Sequence, residues 1–141
     1  RSSIETCSFR FFNVYGPGQS INGGYAAVIP AFKNAVSTGK QCTIYGDGTQ
    51  IRDFIHVSDL VRIIGLAIES GDLPSELNIA SGEGTTLLQL IEILSNSNPE
   101  MQAPIFDEER AGDIHTSLAD ISLLKSTLDI GDLITIREGL E

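Results

Sequence analysis

The chain is short of the residues that would staple it, hold metal or make it basic. Its two cysteines, Cys7 and Cys42, are read as buried or half-buried thiols rather than a bridge, because Cys7 sits in an apolar, strand-like run. The two histidines, His56 and His115, have no metal-type spacing to each other or to cysteine, which argues against zinc. Only 9 basic residues face 19 acidic ones, a net charge of -10. That balance excludes a broad basic face for nucleic acid or for an anionic membrane. Any anion must therefore be met locally. No run approaches the roughly 18 apolar residues of a membrane helix, and the N-terminus lacks the charged, apolar and small-residue order of a signal peptide. The expectation is a soluble, cytoplasmic protein.

What is present is a core. With 141 residues and 41% apolar content, one hydrophobic core is expected and a second independent domain is not. Residues 7–15 are aromatic and β-branched and end at Gly16-Pro17-Gly18, which reads as a strand buried on both faces and then a breaker. Residues 25–36 suit a helix with Pro30 in or near its first turn and Gly39 just past its end. A strand at 42–45 follows. Residues 44–59 (Ile-Tyr-Gly-Asp-Gly-Thr-Gln-Ile-Arg-Asp-Phe-Ile-His-Val-Ser-Asp) read as strand, glycine turn, polar crossing and helix start. Ser58 is placed to cap that helix, whose apolar residues surround its axis and predict burial between layers. Residues 70–75 form a loop and 77–80 a short strand. Thr86 opens a third helix, with Gln89 placed to close a capping box. Leu87, Leu90, Ile91 and Leu94 form its core stripe. Residues 104–106 fit a brief edge strand, and two short helices at 121–128 and 135–140 finish the chain. Strands alternating with helices make the fold class α/β, a small mixed sheet with packed helices.

Catalytic signatures can be tested by counting. Gly82-Glu83-Gly84-Thr85-Thr86-Leu87 follows a strand and opens a helix, but Leu87 stands where the dinucleotide fingerprint needs its third glycine. Gly46-Asp47-Gly48-Thr49-Gln50-Ile51 fails the same test. No tyrosine has a lysine four residues on, since Tyr15, Tyr25 and Tyr45 meet Gln19, Ile29 and Thr49 there. No Gly-x-Ser-x-Gly elbow occurs, and neither cysteine has a visible activating partner. What remains is a binding constellation: Arg52 after the glycine turn, Arg110 before Ala111-Gly112-Asp113, Asn13 after a strand, and the flat ring of Tyr45. Guanidinium groups make paired, charge-assisted bonds to phosphate oxygens, a carboxylate accepts from sugar hydroxyls, and an aromatic face supports a base. The bland alternatives are surface ion pairs of Arg52 and Arg110 with Asp53 or Glu109, strand packing for Tyr45, and a turn-forming Asn13.

Five tracts then occur in a familiar order: Arg10-Phe11-Phe12-Asn13-Val14-Tyr15-Gly16-Pro17-Gly18-Gln19; Val28-Ile29-Pro30; residues 44–59; Asn78-Ile79-Ala80-Ser81-Gly82-Glu83; and Arg110-Ala111-Gly112-Asp113 with Leu118-Ala119-Asp120. Together they resemble the C-terminal half of the extended short-chain dehydrogenase/reductase superfamily. Its members include the NAD-dependent sugar-nucleotide epimerases and dehydratases of the UDP-glucose 4-epimerase type. The resemblance implies a single substrate-binding domain over residues 1–141 that includes a few strands of the parent dinucleotide-binding sheet. It implies that Asn13, Arg52 and Arg110 contact a diphosphate, Asp113 a ribose and Tyr45 the neighbourhood of the base. Val28 would line the nucleotide pocket, and Phe11 and Phe12 would approach the nicotinamide end of NAD. His56 and the helix after it would be framework.

In that family the glycine-rich turn and the Tyr-x-x-x-Lys pair lie in the N-terminal half, and this sequence has neither. NAD is therefore expected in the parent enzyme and not tightly bound by this chain alone. The expected ligand is a UDP-sugar or another nucleotide-diphosphate sugar, and the expected partner is a missing N-terminal half or further copies of the chain. The alternatives are the equivalent half of a 4,6-dehydratase or a self-associating interaction protein. A complete small oxidoreductase is disfavoured by the failed fingerprint. Gly131-Asp132 also replaces the family's usual tryptophan and proline, so the last loop is expected to differ.

Overall fold

The computed structural model describes residues 4–20 and 27–141. The aromatic run at the start is two strands, β1 (Ser8–Phe11) and β2 (Asn13–Tyr15). They part at Phe12, whose carbonyl accepts from the Val14 amide at 2.9 Å. Helix α1 (Val28–Ser37) has Pro30 as its third residue, where no intrahelical bond to its nitrogen is lost. The expected helical residues Tyr25 and Ala26 lie outside the described residues. Next come β3 (Thr43–Tyr45), β4 (Ile51–His56) and α2 (Val57–Ser70), then β5 (Glu76–Ile79) and β6 (Gly84–Thr86). Helix α3 (Leu87–Ser97) opens on the expected capping box. Thr86 Oγ1 accepts from the Gln89 amide at 3.1 Å, and Gln89 Oε1 accepts from the Thr86 amide at 2.8 Å. The chain closes with β7 (Ile105–Asp107), β8 (Thr116–Ser117), α4 (Ser122–Thr127) and α5 (Ile136–Leu140).

Strand β4 organises the α/β fold. It pairs with β2 in parallel, Asn13 opposite Phe54 and Tyr15 opposite His56. Its first half lies between antiparallel β6 and parallel β8, so Arg52 faces Thr85 on one side and Ser117 on the other. Alternation along β2 and β4 then feeds two cores. Tyr15 and Phe54 join Ile29 and Phe32 of α1, Leu90 and Leu94 of α3, and Leu140 of α5. On the opposite face Ile55 joins Ile63 and Ala67 of α2, Leu77 and Ile79 of β5, and Leu124 of α4. Two further pairs, β1 with β5 and β3 with β7, are both parallel.

Several expectations need correction. The polar crossing after the glycine turn is the central strand, because its polar residues find partners on both sides. The cap of α2 is His56, whose Nδ1 accepts from the Ser58 amide at 3.3 Å, so Ser58 lies inside the helix. Helix α2 is not sandwiched: Ile63 and Ala67 are buried, whereas Val61 is 63% and Ile68 77% exposed. Only one of its faces meets the second core. Nor is β1 buried on both faces. Among the described residues it pairs with β5 alone, and Phe11 is 51% exposed. Among the described residues no helix is long and apolar enough to cross a membrane.

Candidate functional site

The glycine turn has the backbone its sequence demands. Gly46 and Gly48 take φ of 79° and 80°, where a side chain is strained. They are also crowded. A Cβ on Gly46 would stand 2.8 Å from Gln50 Nε2, and one on Gly48 would stand 2.9 Å from the Leu88 side chain. Between them, Asp47 Oδ1 accepts from the Thr49 amide at 2.9 Å and from Thr49 Oγ1 at 2.7 Å, and these bonds hold its carboxyl below the usual range. Beneath the turn, buried Gln50 donates Nε2 to the Tyr45 carbonyl, and its Oε1 has no partner among the described residues. Tyr45 is thereby anchored from below.

Over this turn folds the segment that carries the second arginine. Gly112, at φ 80°, closes a turn in which the Asp113 amide donates to the Arg110 carbonyl at 3.0 Å. Arg110 lays its guanidinium carbon 3.8 Å from the centroid of the Tyr45 ring, a cation–π stack. Asp113 Oδ1 takes Arg52 Nη2 at 2.7 Å, with the side chains 16% and 28% exposed for Arg52 and Asp113. Arg52 Nη1 donates to the Ile51 carbonyl at 2.9 Å. His115 fastens the segment again. Its carbonyl accepts from the Ile51 amide at 2.8 Å, and its Nε2 lies 3.1 Å from Thr49 Oγ1. Since the single Thr49 hydroxyl proton goes to Asp47, the imidazole carries its proton on Nε2 and donates to Thr49.

The sequence-nominated residues thus fall into pairs: Arg52 with Asp113, Arg110 with Tyr45, and Asn13 with Val28. The last two line a cavity of about 260 Å³ with Tyr15, Gln19, Ile29 and Phe54. Asn13 is a strand residue rather than a turn former. Its Nδ2 donates at 2.9 Å to the carbonyl of Asp53, the residue after Arg52. Phe11 and Phe12 diverge: Phe11 stays exposed, while Phe12 packs half-buried on the second core. The surface ion pairs considered for the arginines do not form as expected, because Arg52 takes Asp113 and Arg110 takes an aromatic ring.

Asp53 has another task, which sequence reasoning missed. Fully buried, it accepts through Oδ1 from the Ser81 amide and hydroxyl at 2.8 and 2.6 Å. Through Oδ2 it accepts from the amides of Gly82 and Ala119 at 3.0 and 3.2 Å. Gln50 and His115 were missed as well. For Asp53 and Gln50 the signal was polarity inside a strand-rich stretch; for His115 there was none. Both cysteines are free, Cys42 buried and Cys7 half-buried, and burial raises both thiol pKa values. Among the described residues no group of three His, Cys, Asp or Glu side chains could hold a metal ion.

Comparison with known proteins agrees with this architecture. A model of the NAD dependent epimerase/dehydratase family matches residues 1–80. A dTDP-4-dehydro-6-deoxy-D-allose reductase from a Streptomyces species is 33% identical over 92% of this chain, which covers 39% of that protein. The structure of a Methanobrevibacter ruminantium UDP-N-acetylglucosamine 4-epimerase, in complex with UDP-N-acetylmuramic acid, superposes with a TM-score of 0.84. It is 38% identical, over 95% of this chain and 44% of the epimerase. The Thermotoga maritima UDP-glucose 4-epimerase with UDP-glucose gives a TM-score of 0.86 at 34% identity, over 95% of this chain and 43% of that enzyme. The chain therefore spans about two fifths of the length of the proteins it matches. With its family model covering residues 1–80 of 141, the chain belongs to the NAD dependent epimerase/dehydratase family.

Proposed function

We propose that this chain holds the nucleotide-diphosphate sugar of an NAD-dependent nucleotide-sugar epimerase, and that alone it binds this ligand without turning it over. The observation that carries the reading is that one turn, residues 110–113, is tied to two oriented guanidiniums: Arg52 braced by Asp113 at 2.7 Å, and Arg110 laid on Tyr45 at 3.8 Å. Two oriented forks suit a diphosphate, because each can present a pair of N–H donors to phosphate oxygens. In a chain of net charge -10, these two guanidiniums are the groups of the site that can meet an anion. Asn13 donates to the carbonyl of Asp53, the residue after Arg52. Asp113 can accept from ribose hydroxyls, Tyr45 stands by the base, and Val28 lines the pocket beside Asn13. The solved relatives carry UDP-linked sugars, which makes a UDP-sugar the ligand to try first.

A bound NAD would supply the hydride acceptor and donor for the sugar carbon, and Phe11 and Phe12 are the residues of this chain that would approach it. Exposed Phe11 can meet a flat apolar ring, while Phe12, packed on the second core, fits that role only from behind. The chain has no Tyr-x-x-x-Lys pair, so its own residues bind and orient and do not move the proton. Calorimetric titration with UDP and UDP-glucose tests the reading. Saturable heat is expected, with no epimerised or dehydrated product when NAD is added. A folded chain that gives no heat with any nucleotide sugar would end the proposal.

Self-association is a second reading, favoured by the open face of β1 with its exposed Phe11. Light scattering at high concentration should show an oligomer. A monomer throughout would remove this reading and leave the first intact.

A further inference from the structure

The ion pair at the rim is asymmetric. Asp113 spends Oδ1 on Arg52 Nη2, and its Oδ2 makes no hydrogen bond among the described residues. Arg52 is gripped from two directions, Nη1 by the Ile51 carbonyl at 2.9 Å and, at 3.5 Å, the His115 carbonyl, and Nη2 by the carboxylate. Asp113 is the acceptor that fixes the outer end of the fork. Without it, a long side chain regains rotamer freedom that an anion must remove again on binding.

We propose that Asp113 is a positioning residue for Arg52. Through Oδ1 it aims the guanidinium at phosphate, and through Oδ2 it stays open to a ligand hydroxyl, so one carboxylate couples phosphate recognition to sugar recognition. This rests on the nucleotide-binding reading above and adds to the ribose role a second one, exerted through Arg52. The two roles carry opposite signs for a ligand without ribose. As a charge, Asp113 repels an incoming anion, so its removal alone would tighten binding. As a brace, its removal loosens binding. The surrounding segment makes the difference readable, because it is also held by the Ile51 amide on the His115 carbonyl and by the His115 ring on Thr49. Truncating Asp113 therefore leaves the loop docked.

The test is an amide-shift NMR titration of the chain with inorganic pyrophosphate and with UDP, for the unmodified chain, Arg52→Ala, Asp113→Ala, Asp113→Asn and the double Ala variant. Asp113→Ala should weaken pyrophosphate binding about three- to tenfold, and the double variant should bind within about twofold of Arg52→Ala, the signature of two residues acting as one. Asp113→Asn, which keeps an oxygen for Arg52, should restore most of the pyrophosphate affinity. Unchanged or tighter pyrophosphate binding by Asp113→Ala, with UDP binding weakened, would overturn the bracing role and leave Asp113 to the ribose alone. If the unmodified, folded chain shifts with neither ligand, the nucleotide-binding reading itself fails, which is a different result.

Discussion

Asp53 and Asp113 both neighbour Arg52, one along the chain and the other across the site, and their surroundings are opposite. Asp53 is fully buried and spends both oxygens on four donors from the turn after β5 and the segment before α4. Asp113 sits at the rim and commits one oxygen to one arginine. Asp53 is satisfied by three backbone amides and the Ser81 hydroxyl, and Asp113 by a single arginine side chain. Asp59 belongs with the frame. It takes Arg62 Nη2 at 2.7 Å and the Ile134 amide at 2.7 Å, while Arg62 also holds the carbonyls of Ile130 and Asp132. That clamp fixes the loop around Gly131-Asp132. Polar residues of this chain thus divide into those that hold strands in register and those left available at one edge.

The sharpest way to break this division is Asp53→Ala. It orphans the partly buried amides of Ser81 and Gly82 and the buried amide of Ala119 and should cost about 3–4 kcal/mol of stability, read as a lower urea midpoint. A loss below about 1 kcal/mol would mean that the frame is not built on this carboxylate. Next in size is the alkaline limb of stability. Burial, helped by Asp59 and Glu138, pushes the Tyr15 phenol up to about 12, against an unfolded value near 10. The raised folded pKa leaves stability whole below about pH 10 and removes about 2–3 kcal/mol as pH climbs from about 10 to about 12. Tyr15→Phe should flatten that limb, although it forfeits the hydroxyl's 3.2 Å bond to the Thr135 carbonyl. Equal slopes for both proteins would show that another group governs it. The smallest effect belongs to the rim: Asp113→Ala should shift stability by no more than about 0.5 kcal/mol, as for a partly exposed pair. A shift as large as that of Asp53→Ala would erase the contrast.

Local chemistry was legible in the sequence where a few adjacent residues decide the outcome. The α3 capping box needs only Thr86 and Gln89, and the glycine turn only Gly46 and Gly48. Strand β4 was hidden because Arg52 and Asp53 interrupt the apolar alternation of a central strand, and the donors that satisfy Asp53 lie 28 to 66 residues away. The two-residue β8 has no pattern to show. Helix α2 misled because apolar residues all round an axis predict burial, yet only one face found a core. For the site, the residue types were readable and the partners were not. Arg52 meets Asp113 across 61 residues, and Arg110 chooses the Tyr45 ring over the carboxylate beside it in sequence.

On the function proposed above, the rim and not the frame would recognise a nucleotide diphosphate. The most direct test is a calorimetric UDP titration of Arg52→Ala set beside its urea midpoint. Affinity should fall by roughly thirtyfold, about 2 kcal/mol for a lost charge-assisted contact, while the midpoint moves little. Unaltered UDP affinity in Arg52→Ala, or a loss of affinity that only follows unfolding, would contradict it.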